Sequence, residues 1–321
     1  MLAMMLVASA LAPVDTAATI LPAEFIANRV YVVPRTTSGK TLKLFTDTGG
    51  GLFVTEATVR RLKLATTEST DAEAAGPARR LLLTTLPPFK SSATIPPPPD
   101  NDWQVPVMPD EEAHRHHSDD DGMLGQVWFG GHVWTWDYPQ HQLRLESGAW
   151  KPEDGATRVA LAFAQEDGVR ANNFARITIR VDAKPIDMLL DTGATTTLSA
   201  AAVKALGDKL PARRATSFIV ESQYIEWRRA HPDWRVIDKA DFGKMSMIEV
   251  PRVELGGASV GPIWFTWRED SNFHDYMSSR MDQQVEGAIG GNAFAHFVMT
   301  IDYPGAAAWF RCVVDCAPAH R

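Results

Sequence analysis

The tripeptide Asp47-Thr48-Gly49 returns as Asp191-Thr192-Gly193, each time after an apolar run and before a short helical pattern. The match continues at a constant offset of 144 positions through Val54/Leu198, Thr55/Ser199, Val59/Val203 and Leu62/Leu206. A second block repeats at an offset of 165: Gly122-Met123-Leu124-Gly125 matches Gly287-Ala288-Ile289-Gly290, and Thr135-Trp136-Asp137-Tyr138-Pro139 matches Thr300-Ile301-Asp302-Tyr303-Pro304. The two offsets differ by 21 positions. One unit is therefore used twice, with about that many extra residues between the two blocks of the second copy.

Within each copy the local pattern is that of strands. Arg29-Val30-Tyr31-Val32-Val33 and Thr41-Leu42-Lys43-Leu44-Phe45 flank Ser38-Gly39, a hairpin signal, and the second run delivers Asp47 at its end. Thr55 is placed to cap a helix from Glu56 to Leu64, and Ser199 to cap Ala200–Leu206 with Gly207 as its stop. Residues 66–121 carry Pro87-Pro88, Pro96-Pro97-Pro98-Pro99 and the run His114-Arg115-His116-His117-Ser118-Asp119-Asp120-Asp121. Polyproline is extended, so this stretch reads as a surface excursion. Its one large aromatic, Trp103, either reaches back over a site as a substrate-binding residue or pins the loop. The extra residues of the second copy are assigned to Asp208–Met247, where Gln223–Arg229 reads as a helix; that segment either covers a cleft or packs on its own lobe.

At 321 residues, with 45% hydrophobic and 22% charged residues, the chain is long enough for two globular units. A net charge of -7 gives no electrostatic case for nucleic acid. The apolar start, Met1 to Ala12, is too short to span a bilayer and reads as a signal peptide that lacks a basic leader region. No other stretch reads as a membrane span. The expected organisation is a signal peptide over residues 1–20, a first lobe over 21–150 carrying Asp47 and a second over 151–321 carrying Asp191, in an exported protein that is periplasmic or secreted. Cys312 and Cys316 either close a small disulfide loop or remain two thiols; they cannot build a metal site. The His/Asp run reads as a solvated segment, and no metal is assigned to it.

The paired triplets, each followed 75 to 96 residues later by a Gly-x-apolar-Gly segment, resemble those of the aspartic peptidases of the pepsin and retropepsin type. The resemblance runs from about residue 21 onward and looks like a bacterial, bilobed version. It implies a mainly β fold of two acid-protease lobes with a few short helices, facing each other across a pseudo-twofold axis. By the same resemblance Asp47 and Asp191 are the catalytic pair. Thr48 and Thr192 lock the two loops through hydroxyl bonds to the opposite backbone, and Gly49 and Gly193 leave room for close approach. Two features depart from the family pattern. Gly50 and Gly51 stand where Ala or Ser, then Thr or Ser, are common, and no Tyr lies between the first triplet and Gly122 to serve in a flap.

Two carboxyl groups within hydrogen-bonding distance cannot both ionise cheaply, so they share one proton over a useful pH range. The ionised member activates a water and the protonated member donates to a peptide carbonyl, with no cofactor. The implied activity is aspartic endopeptidase action on a peptide or protein substrate held extended in the cleft, with one chain sufficient for a complete site. The rival reading is an inactive peptide- or protein-binding module on the same fold.

Overall fold

The computed structural model describes residues 18–69, 81–99, 103–117 and 120–319, with the backbone alone for 114–117. Residues 1–17 of the expected leader, and the side chains of the His/Asp run from His114 to Asp119, lie outside the described residues.

The architecture is mainly β, in two lobes with a few short helices. Each triplet ends a strand that a parallel neighbour grips. Leu44–Thr46 pairs with Gly122–Leu124 (Phe45 opposite Met123), and Lys184–Leu190 pairs with Gly287–Ile289 (Leu189 opposite Ala288). These pairs lie at the centre of an eight-stranded sheet spanning 23–124 and a ten-stranded sheet spanning 176–318.

A third sheet, of six strands, takes members from both halves. Its centre joins Val133–Asp137 to Phe297–Asp302 in antiparallel register, with Thr135 opposite Thr300. The 165-residue repeat thus meets itself at the pseudo-twofold axis, where the two hydroxyls bond to each other at 2.7 Å. Around this sheet Trp128, Trp134, Trp136, Tyr303, Phe294 and Phe310 are fully buried in one core continuous through both halves. Rings of this size supply much of the apolar area that folding removes from water.

Both threonines are buried, so a partner lost is not replaced by water. Thr135→Val is expected to cost about 1–3 kcal/mol by stranding the Thr300 hydroxyl. The double variant Thr135→Val/Thr300→Val is expected to cost less than the sum of the single changes. Denaturant unfolding of the four proteins reads this coupling; strict additivity would show that the two hydroxyls are not each other's partners.

Each half also lends a turn to the other. Ala27 and Asn28, both at positive φ, make a two-residue hairpin turn. Ala215 N donates to Ala27 O at 3.0 Å, and a Cβ on Gly291 would lie 2.3 Å from Asn28 O. In the opposite sense, Asn173 N donates to Gln126 Oε1 at 2.7 Å. Those partners sit in or beside the short helices Gly291–Phe294 and Gln126–Phe129.

The helix caps follow the sequence closely. Thr55 accepts from Thr58 N at the start of Glu56–Leu62, and Ser199 accepts from Ala202 N at the start of Ala200–Leu206, which Gly207 ends at φ 67°. Cys312 and Cys316 form a disulfide.

Two expectations need correction. The stretch 66–121 is not an irregular excursion: Thr66–Glu68, Leu82–Thr85 and Gln104–Met108 are sheet strands, and Asp110–His117 is a helix. Asp110, Glu111 and Glu112 occupy its first turn, where negative charge meets the positive end of the helix dipole.

The extra residues of the second copy also lie elsewhere than 208–247. Phe53–Thr55 runs antiparallel to Gly122–Leu124 with Val54 opposite Gly122, and Ser217–Val220 meets Gly287–Ile289 with Ile219 opposite Gly287. Val54 and Ile219 are 165 apart, so the helix matching Glu56–Leu62 is Glu221–Ala230. The insert is Thr195–Ala215: strand Thr195–Thr197, helix Ala200–Leu206 and strand Arg213–Ala215, with the two strands paired antiparallel. It starts two residues after Gly193. The tryptophans of residues 208–247 pack within their own lobe, Trp227 edge-on to Phe265 and beside Trp234.

Candidate active site

Asp47 and Asp191 each stand one residue beyond a gripped strand. Asp47 N donates to Leu124 O and Asp191 N to Ile289 O, both at 3.0 Å. The chain then turns back on itself, so that Gly49 N donates to Asp47 Oδ1 at 2.9 Å and Gly193 N to Asp191 Oδ1 at 2.8 Å.

The threonines of the triplets tie the two loops together. Thr48 Oγ1 donates to Leu190 O at 2.8 Å and accepts from Thr192 N at 2.9 Å, while Thr192 Oγ1 accepts from Thr48 N at 3.2 Å. Both threonines are buried, so these bonds hold the carboxyls against each other without competition from solvent.

The glycines fix how close the loops come. A Cβ on Gly49 would stand 2.7 Å from Asp191 Cγ, and one on Gly193 would stand 2.1 Å from Asp47 Cγ. Each carboxyl therefore lies on the backbone of the opposite loop. Gly50 is constrained too, since its Cβ would meet Met123 Sδ at 2.6 Å and Asp47 Cγ at 2.7 Å. The residue that replaces the usual Ala or Ser lets Met123 and the Asp47 carboxyl close over this point.

Only 9% of each aspartate is exposed. Burial pushes Asp47 well above the ordinary carboxylate range, and the charge of Asp191 and a hydrogen bond to it push in the same direction. Burial also raises Asp191, against the hydrogen bond from Asp47 and the N–H groups of Gly193, Ala194 and Gly49. The arrangement suits a pair that shares one proton, with more backbone donors turned to Asp191 than to Asp47. As a unit the pair can deprotonate a water and protonate a carbonyl oxygen.

Beside the first loop lies a cavity of about 400 Å³ lined by Gly51, Leu52, Phe53, Leu82, Val107 and Met108 among others. Trp103 is not gathered with the pair. It packs edge-on against Phe89 at 5.5 Å, and its carbonyl accepts from Leu86 N, beside the buried cluster of Val54, Leu86 and Val105. This is the anchoring role. Among the described residues, no three His, Cys, Asp or Glu side chains come together to hold a metal, and no helix is long and apolar enough to cross a membrane.

One buried group beside the site was not singled out in the sequence. Arg29 opens an otherwise apolar strand and is 4% exposed. A cation inside an apolar run is the signal that marks it, because a buried guanidinium needs a built set of partners.

The fold is the two-lobed, mainly β arrangement that the paired triplets imply. No family model matches the chain, and no curated protein matches it. Among solved structures the chain is similar to conglutin gamma, a basic 7S globulin from lupine seeds, at 10% identity and a TM-score of 0.48, covering 92% of this chain and 95% of that one. It is likewise similar to the basic 7S globulin from soybean, at 10% identity and a TM-score of 0.47, covering 93% and 95%.

Proposed function

We propose that the protein is an aspartic endopeptidase in which a water activated by the Asp47/Asp191 pair attacks a peptide carbonyl in the interlobe cleft. The observation that carries this is the crossed packing of the two carboxyls, each on the glycine of the other loop. Such packing makes sharing one proton cheaper than ionising both groups. An extended peptide suits a site between two sheets, where its backbone meets strand edges and alternate side chains enter pockets. The cavity beside Gly51, mostly apolar with Glu56 and Glu112 in its wall, is the pocket assigned to a substrate side chain. The same reading takes the protein as exported, with a peptide or protein as its partner and a single chain as the complete enzyme.

The second reading, a cleft that binds peptides without turnover, draws on one feature. Asp47 is held by one backbone donor, the Gly49 N–H, whereas Asp191 receives several, so the two carboxyls are held unequally. Cleavage of a mixed peptide library between about pH 3 and pH 8 separates the two. Hydrolysis by the parent that is lost in Asp47→Asn and Asp191→Asn supports the peptidase, with apolar residues enriched beside the cut. Peptide binding by parent and variants alike, with no product at any pH, supports the binding module.

A further inference from the structure

The insert Thr195–Ala215 emerges directly from the Asp191 loop, and besides the backbone bond from Ala215 N to Ala27 O its contacts with the first lobe gather around the buried charges of Arg29 and Asp120. Arg29 Nε donates to Thr195 Oγ1 at 3.1 Å, and Thr195 Oγ1 donates in turn to Gly193 O at 2.7 Å. The Arg29 guanidinium lies over the rings of Phe45 and Tyr31, at 4.4 and 4.9 Å, and Phe45 is two residues before Asp47. Asp120 approaches it at 3.5 Å and also faces Arg213, in the last strand of the insert, at 4.0 Å. The side chains of Arg29 and Asp120 are only 5% and 3% exposed.

We infer that Arg29 is a positioning residue for the dyad: it clamps the insert, and with it the Gly193 carbonyl of the second loop, to the strand that delivers Asp47. A planar guanidinium suits this task because it bonds Thr195 through Nε and pairs with the Asp120 charge while lying flat on two rings. One cation thereby touches the supports of both aspartates. The insert gives the second loop a partner that the first loop, which runs from Gly50 straight into its strand, does not have.

The clamp has an electrostatic side as well. Arg29 is the cation that acts on Asp47, opposing the burial that raises it. The other ionisable groups turned toward the pair are Tyr138, facing Asp191, and Tyr303, facing Asp47; burial raises both phenols, so both stay neutral. Asp120, Arg213 and Tyr31 face Arg29 itself. Loss of the guanidinium charge leaves Asp47 without its compensating cation, and the pair then gives up its first proton at higher pH.

The inference rests on the dyad being a proton-sharing pair, and its test is independent of turnover. The ¹³C carboxyl resonances of the dyad, assigned with Asp47→Asn and Asp191→Asn, are titrated in the full-length parent, Arg29→Lys and Arg29→Met. The expected result is a lower dyad titration that moves to higher pH in Arg29→Met and stays near the parent in Arg29→Lys. Arg29→Met takes the nearer cation from the buried Asp120 carboxylate; if it does not fold, Arg29→Gln/Asp120→Asn takes its place with the same expected direction. Where the parent hydrolyses peptide, Arg29→Lys is expected to lose roughly tenfold or more in kcat through displaced loops, and the acid limb of the Arg29→Met rate profile follows its titration. Unchanged dyad titrations in the folded neutral variant overturn the assignment. A parent that titrates as described and cleaves nothing counts against the peptidase and leaves the clamp standing.

Discussion

Asp47→Asn and Asp191→Asn are each expected to lower kcat for peptide hydrolysis by about 10³-fold or more, and at neutral pH to make the folded protein more resistant to denaturant than the parent. The second half of this result follows from the direction in which the carboxyls are shifted. Burial holds both above the ordinary value. In the unfolded chain they ionise near pH 4, as model carboxyls do. Between that pH and the raised folded value, the folded protein binds more protons than the unfolded chain, and stability therefore falls as pH rises. An asparagine carries no proton to lose. Its Oδ1 still accepts from Gly49 N, and its amide donates to the Asp191 carboxylate. The Asp47→Asn protein is thus expected to exceed the parent by roughly 1–3 kcal/mol at pH 7, or a few degrees in Tm. The gap closes toward pH 3, where the parent pair is fully protonated. Denaturant unfolding of both proteins across pH 3 to 8 reads the effect. A parent whose stability is level through that range does not contain a buried pair sharing a proton.

What the sequence made legible was what sits on short stretches of chain. Thr55 and Ser199 announce helix starts because a hydroxyl before an apolar turn has a local partner, and Gly207 ends its helix because it alone reaches φ 67° cheaply. The pair Asp47 and Asp191 was readable because each stands at the end of an apolar strand within a repeat. The strands of residues 66–108 were not readable. Three to five residues give no alternation to detect, and their partners lie far off in the chain, as when Val54 pairs with Val107.

The insert was misplaced for a related reason. Two capped helices at an offset of 144 looked like counterparts, but Phe53/Phe218, Val54/Ile219 and Glu56/Glu221, at 165, are the residues that occupy equal places. Local resemblance favoured the first alignment; pairing with the Gly122 and Gly287 strands decides for the second. Arg29 and Trp103 show the same limit from the side of the site. In the sequence Arg29 is only the first residue of an apolar strand and Trp103 fits either a cover or an anchor, and only tertiary contacts assign each its place.

Gly193→Ala is expected to cost the protein roughly 2–4 kcal/mol and to abolish turnover, whereas Gly51→Ala is expected to be neutral or to stabilise it by about 0.5 kcal/mol. Both glycines lie in a loop that follows a triplet aspartate, Gly193 within the triplet and Gly51 two residues beyond one. Their surroundings differ. At Gly193 a methyl group would lie 2.1 Å from Asp47 Cγ and 2.4 Å from each of its oxygens; at Gly51 nothing lies within 4 Å. Asp47 has no room to retreat, since its carboxyl is bonded to Gly49 N and its own N–H to Leu124 O. Gly193 is fixed on its side by the bonds from its N–H to Asp191 and from Thr195 to its carbonyl. The added methyl must therefore part the two loops, and the carboxyls separate with them. The Gly193→Ala protein should lose part of the pH dependence of stability along with its activity, because separated carboxyls repel less and admit water. Equilibrium unfolding of parent, Gly51→Ala and Gly193→Ala at pH 4 and pH 7 measures both effects. A Gly193→Ala protein as stable as Gly51→Ala, with the parent's pH dependence, would mean that Asp47 does not rest on this glycine in solution, and the shared proton would lose its geometric basis.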